Sequence, residues 1–190
     1  MHFQKGLLPL CMEQGHWLLL DELDYASPAV LSLLNSALQT GTLTIPETGE
    51  RVVAQPGFRV IVTANTHGGG DHTGFYQGTH FLNKALLDRF ETVIEVQFPE
   101  PSELKQILKS HFAKIPEEKR VMQFIAQMRY ACENQELYFP FGIRTCLKFV
   151  RKACDPDLSW KESALLAFGN FLDPASRGLV LGIVQRVFGE

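Results

Sequence analysis

The run Trp17-Leu18-Leu19-Leu20 is short, almost wholly apolar, and stops abruptly on Asp21-Glu22. A segment of this length and character is expected to be a strand buried on both faces, as in a parallel sheet. Its end constrains the fold further. In an open α/β sheet, ligands gather outside the carboxyl ends of the strands, so a carboxylate pair there stands where chemistry is done. An aspartate in that place can hold Mg²⁺, and a glutamate can polarise an attacking water. The alternative is a strand that finishes in a solvated acidic turn.

The rest of the first half keeps this alternation. Ser27-Pro28 supplies an N-cap and a first-turn proline, Val30, Leu31, Leu34, Ala37 and Leu38 follow at helical spacing, and Gly41 closes the helix. Leu43–Ile45 and Arg51–Ala54, joined across Pro46-Glu47-Thr48-Gly49-Glu50, read as a β-hairpin. Phe58 to Ala64 is a second buried strand ending on Asn65, and a long glycine-rich loop runs from Thr66 to Thr79. Asn83 to Phe90 is expected to be helical, and Thr92 to Val96 to be a third strand. At Phe98-Pro99-Glu100-Pro101 the pattern changes to helical spacing throughout. Helices are expected from a Ser102 cap to His111, over 117–134, over 143–153, and in one or two pieces over 160–188. The expected organisation is therefore an α/β part (1–98) followed by an all-helical part (99–190).

Composition excludes several functions. Eighteen Lys and Arg against 21 Asp and Glu give a net charge of −3, which leaves no basic excess to hold a phosphate backbone, so nucleic acid is not expected as a partner. No apolar run approaches the ~20 residues of a membrane helix, and no signal-peptide layout opens the chain. Met1 to Lys5 leads instead into a short apolar stretch broken by Pro9. No membrane association and a cytoplasmic location are the expectations. Cys11, Cys132, Cys146 and Cys154 show no Cys-x-x-Cys spacing and are expected to be reduced thiols. His67, Asp71 and His72 lie on a glycine-rich loop that lacks the fixed geometry of a metal-ligand set.

Three further residues stand where the acidic pair would need help. Asn65 ends what is expected to be a parallel neighbour of the first strand, and its amide can orient a water or donate to a terminal phosphate; the alternative is an asparagine satisfying its own loop. Arg89 follows a short helix between inward-facing Leu87 and Phe90, and would be aimed outward. It is either a surface ion pair with Asp88 or Glu91, or an arginine that reaches a neighbouring subunit's phosphate. Arg144, in Phe141-Gly142-Ile143-Arg144-Thr145, falls in the first turn of a helix of the second part, where the plainer reading is a solvated helix face.

In this order and with these separations, the motifs resemble an AAA+ ATPase module. Leu18–Glu22 looks like a Walker B strand, Asn65 like sensor 1, Arg89 like the arginine finger and Arg144 like sensor 2. Gly15–Glu22, Pro46–Glu50, Gly70–Thr79 with Asn83 and Asp88-Arg89, and Val184–Gly189 are similar to the MoxR-like and dynein-related branch. Within it they resemble the ATPase (CobS-type) subunits of aerobic cobaltochelatases. The resemblance implies a partial P-loop NTPase (AAA+) parallel sheet with a C-terminal all-helical lid domain. It implies ATP and Mg²⁺ as cofactors, with Asp21 on the metal, Glu22 activating water, Asn65 positioning it, Arg89 acting in trans and Arg144 sensing nucleotide from the lid. It further implies a homo-oligomeric ring, a hexamer, with a von Willebrand factor A-domain partner. The hairpin and the 66–79 loop would be client-contacting elements, and the work would be metal chelation or MoxR-type chaperoning.

One departure stands out. A P-loop requires Gly-x-x-x-x-Gly-Lys-[Ser/Thr], and no Gly-Lys-Ser or Gly-Lys-Thr occurs anywhere in the chain. The expectation is the C-terminal portion of a larger ATPase, inactive by itself; the alternative is a non-catalytic subunit that donates Arg89 or serves as an interaction piece. In the resembling family the P-loop strand lies between the sensor 1 strand and the strand after the arginine finger. Without it, a gap or a different pairing should separate Arg59–Ala64 from Thr92–Val96, and the chain alone should be marginally stable or prone to aggregate.

Overall fold

The computed structural model describes residues 4–66, 68–70 and 78–189. The chain divides into two compact units, Met1–Ile94 and Glu95–Glu190.

The first unit opens with α1 (Leu7–Gln14), a helix in the stretch that Pro9 was expected to break. Pro9 sits in the first turn, where its missing N–H has no intrahelical partner to lose. Gly15 closes α1 at φ 66°, and a Cβ there would lie 2.5 Å from the Pro56 carbonyl oxygen, so only glycine lets the two backbones approach. β1 (Trp17–Leu20) follows, then a single 3₁₀ turn over Leu23–Tyr25 and α2 (Pro28–Thr40). α2 is bounded as its sequence dictates: the Ser27 side chain accepts from the Val30 N–H and Gly41 adopts the left-handed C-cap. β2 (Thr42–Thr44) and β3 (Arg51–Val53) form an antiparallel hairpin with Leu43 opposite Val52. β4 (Arg59–Val62) pairs with β1 in parallel, Leu20 opposite Val62. α3 (Lys84–Leu87) is one turn long, capped by the Asn83 side chain accepting from the Ala85 N–H at 2.9 Å.

Two small cores hold this unit. Met12, Ala37, Leu43, Ile45 and Val52 bury the hairpin against α1 and α2, while Leu23, Leu34 and Leu82 gather beside the parallel pair. At the rim, the Lys5 ammonium donates to Glu13 and Glu50 at 2.6 Å each, joining the start of the unit to the hairpin turn.

Two strand expectations are corrected. β1 is not buried on both faces: Leu18 is 6% exposed, but Trp17 and Leu19 are 70% and 63% exposed, and Ile61 beside them is 44% exposed. Nor is Thr92–Val96 a strand; it lies in no ladder, with Val93, Ile94 and Val96 at 84%, 78% and 89% exposure. The physical reason is the same in both cases. A high-β-propensity run becomes a strand only when a neighbour takes its N–H and C=O groups, and an apolar face is dry only when something covers it. Among the described residues β1 pairs with β4 alone.

The second unit is helical: α4 (Pro101–His111), α5 (Glu118–Glu133), α6 (Ile143–Ala153), α7 (Trp160–Ala167) and α8 (Pro174–Phe188). α4 is capped by Glu100, not Ser102, because Glu103 reaches back to the Glu100 N–H at 3.0 Å in a capping box and Pro101 takes the first helical position. One continuous core runs from Leu104 to Phe188 and is rich in aromatic contacts. Phe124 meets Phe149 at 4.5 Å, and Trp160 stacks on Phe188 at 3.9 Å. Arg129 lies over Phe98 at 4.3 Å. No helix among the described residues is long and apolar enough to cross a membrane.

Candidate functional site

The parallel register puts the ends of β1 and β4 at the same edge of the first unit. β1 delivers Asp21 and Glu22 there, both exposed, and β4 delivers Thr63, Ala64 and Asn65. Glu22 turns the chain out of the strand in a left-handed conformation, φ 55° and ψ 53°, unusual for a residue with a side chain. A shallow depression of about 270 Å³ lies beside the turn, lined by residues that include Asp21, Glu22, Tyr25 and Val30.

Thr63 fastens the acidic turn. Its N–H donates to the Leu20 carbonyl at 3.0 Å and its carbonyl accepts from the Leu23 N–H at 2.8 Å. Its hydroxyl accepts from the Glu22 N–H at 2.9 Å and donates to a carboxylate oxygen of Asp21. The reverse tie comes from Asp24, which is completely buried. A single Asp24 oxygen, Oδ2, accepts from the Asn65 N–H at 3.0 Å, the Thr66 N–H at 3.0 Å and the Thr66 hydroxyl at 3.1 Å. Its Oδ1 is buried without a partner among the described residues, and its carbonyl accepts from the His80 N–H at 2.7 Å. Asn65 is thus fixed through its backbone, with the residue exposed at the strand end.

Neither Thr63 nor Asp24 was singled out from sequence. The available signals were a hydroxyl at the last position of the aliphatic run Val60-Ile61-Val62-Thr63 and a third acidic residue after Leu23.

Arg89 does not project freely outward. It is half-buried, and its guanidinium donates through Nη2 to Gln39 Oε1 of α2 at 2.9 Å and through Nη1 to the Ala85 carbonyl. Nε is buried with no partner among the described residues. The one-turn α3 leaves carbonyls at its C-terminal end, and a cation just beyond it bends back to satisfy one. Neither Asp88 nor Glu91 forms an ion pair with it among the described residues. Arg144 is exposed in the first turn of α6, in the second unit. A cation there opposes the helix dipole, whereas Arg151 and Lys152 in the last turn complement it. His67, Asp71 and His72, with most of the 66–79 loop, lie outside the described residues. Among the described residues no group of three or more His, Cys, Asp or Glu side chains is arranged to hold a metal ion. The cysteines are free, and burial pushes the Cys146 thiol up to about 12.

A parallel strand pair that brings an acidic pair and an asparagine to one edge places polar groups where open α/β folds bind their ligands. The family model described as AAA domain (dynein-related subfamily) matches residues 2–90. Over those residues the chain resembles the AAA+ ATPases of this branch. Over 98% of its length it is 28% identical to the aerobic cobaltochelatase subunit CobS of Sinorhizobium sp, of which it covers 58%. It is 32% identical to midasin of Giardia intestinalis, again over 98% of the chain but 4% of that protein. Over 66% of the chain it is 36% identical to the uncharacterized protein YojN of Bacillus subtilis, covering 38% of it. The chain therefore spans little more than half of CobS and less of the others.

Proposed function

We propose that this chain is the Walker B-to-lid portion of an AAA+ ATPase that hydrolyses Mg·ATP between adjacent subunits of a ring to remodel a partner. The observation that carries the reading is the cross-tied pair of strand ends, which supports Asp21, Glu22 and Asn65 acting on one ligand. The donor chemistry suits Mg²⁺: Asp21 and Glu22 offer exposed hard oxygens, and one Asp21 oxygen is already oriented by Thr63. The sequence carries no lysine-bearing phosphate cradle, so in this reading the triphosphate is gripped by sequence beyond these residues.

Bound Mg·ATP supplies the phosphoryl group to be transferred and the charge neutralisation its transfer requires. Asp21 holds the cation. Glu22 accepts a proton from the attacking water, and Asn65 orients that water through its side-chain amide. Arg89 leaves Gln39 to reach the neighbouring subunit's nucleotide, and Arg144 reads nucleotide state from the lid. ATP and Mg²⁺ as cofactors, a hexameric ring, a von Willebrand factor A-domain partner and a cytoplasmic location belong to the same proposal. So do the two-part division at residue 98 and a client reached through metal chelation or MoxR-type chaperoning. The alternative is a non-catalytic subunit that contributes Arg89 to an adjacent site.

Glu22→Gln separates the two. In a nucleotide-hydrolysing assembly containing this chain, the substitution is expected to lower ATP turnover by at least about 100-fold, as loss of a general base does, with nucleotide binding unchanged. Phosphate release that continues at the wild-type rate removes Glu22 from the chemistry and leaves the non-catalytic reading.

A further inference from the structure

Thr63 is unusual in the number and direction of its bonds. Its backbone and hydroxyl together engage four consecutive residues, Leu20, Asp21, Glu22 and Leu23, on the opposite strand and its turn. The two backbone bonds extend the parallel ladder by one step. The two hydroxyl bonds do not, because a ladder needs neither.

A threonine hydroxyl has one hydrogen and two lone pairs. Here the Glu22 N–H takes a lone pair, since an amide can only donate, so the hydroxyl hydrogen is left for the Asp21 carboxylate. Both consequences concern the acidic pair. One Asp21 oxygen is occupied by a charge-assisted bond, which leaves the other for a cation. The Glu22 amide is held in the left-handed turn, which without that bond is an unfavourable conformation for glutamate. Asp24 ties the two segments in the opposite sense, from the turn to Asn65 and Thr66, so the strand ends are latched from both sides.

We propose that Thr63 is a positioning residue for the acidic pair: its hydroxyl orients the Asp21 carboxylate for monodentate cation binding and fixes the backbone from which Glu22 projects. The proposal rests on the reading of Asp21 as the cation holder. Removing the hydroxyl while keeping the β-branched shape leaves Asp21 free to rotate, and water replaces Thr63 as its partner. Outer-shell partners of this kind commonly alter metal affinity by about 10-fold or more. The side chain is exposed, so Thr63→Val buries no cavity and strands no polar group in the core.

The test uses the whole 190-residue chain and Mn²⁺ as the probe, titrated while site-specific paramagnetic broadening of the Glu22, Leu23 and Ala64 amides is followed, with Mg²⁺ as competitor. Wild type and Thr63→Ser are expected to share one midpoint, Thr63→Val and Thr63→Ala to shift it upward by about 10-fold, and Asp21→Asn to abolish the broadening. Recovery in the serine variant distinguishes a hydroxyl effect from general loosening, as does an unchanged spectrum away from the strand ends. A Thr63→Val or Thr63→Ala midpoint equal to wild type, with Asp21→Asn still abolishing the signal, overturns the positioning role alone. Broadening that is absent from wild type, or that survives in Asp21→Asn, overturns the cation-holding reading of Asp21 and the Thr63 role with it.

Discussion

Glu22 combines a charged side chain with a backbone conformation that residues with a Cβ rarely adopt. Asparagine tolerates that region better than glutamine does. Glu22→Asn and Glu22→Gln both remove the charge, so comparing them isolates the backbone contribution: the asparagine variant is expected to be more stable by about 0.5–1 kcal/mol in equilibrium urea unfolding. Equal midpoints would place the left-handed turn at no cost to glutamate. The acidic pair was legible in sequence because an aliphatic run that stops on two carboxylates is a local pattern. Thr63 and Asp24 were not, since their partners lie some forty positions away and depend on a strand register that no local pattern encodes. The same holds for Arg89, whose engagement with Gln39 follows from how α3 and α2 meet.

Helix limits were legible where the cap is chemical. Ser27 and Gly41 bound α2. Limits are ambiguous where two candidates compete, as with Glu100 and Ser102, or where a proline suits a first turn as well as a break, as with Pro9. Thr92–Val96 shows the other limit: propensity specifies an extended segment, and only a partner makes it a strand. Within α6, Cys146 is fully buried and its thiol is pushed up to about 12. The unfolded thiol ionises near ~8.5, so between roughly pH 9 and 12 the unfolded chain sheds a proton that the folded chain retains. Stability contributed by the buried thiol is complete below that range and falls as pH rises through it, by at most ~1.4 kcal/mol per pH unit. Urea midpoints compared at pH 8 and pH 10 should show the wild type losing about 1–2 kcal/mol more than Cys146→Ala. Identical pH dependence in the two would mean that the thiol ionises in place.

The two units differ in how much core they possess. Among the described residues the second contains one cluster of 21 buried side chains, whereas the first has clusters of five and three. Burial of apolar area is the main favourable term in folding, so the second unit is expected to be the more stable. Hydrogen exchange on the intact chain should show the slowest amides within residues 95–190, in α5, α6 and α8, with those of β1 and β4 exchanging earlier. Slower exchange in β1 than in α5 would contradict this. The all-helical character of residues 99–190 was legible from their spacing, because each helix writes its buried face into its own sequence. Coverage of the parallel pair was not, because dryness on a sheet face depends on what lies across it.

The molecule's two tryptophans happen to sample these extremes: Trp17 is bare on β1, and Trp160 is stacked on Phe188. Their ultraviolet emission therefore divides by colour, a red component from the wet indole and a bluer one from the sheltered one. Whatever comes to rest on the open side of β1 announces itself as a shift of the red component, without any label being attached.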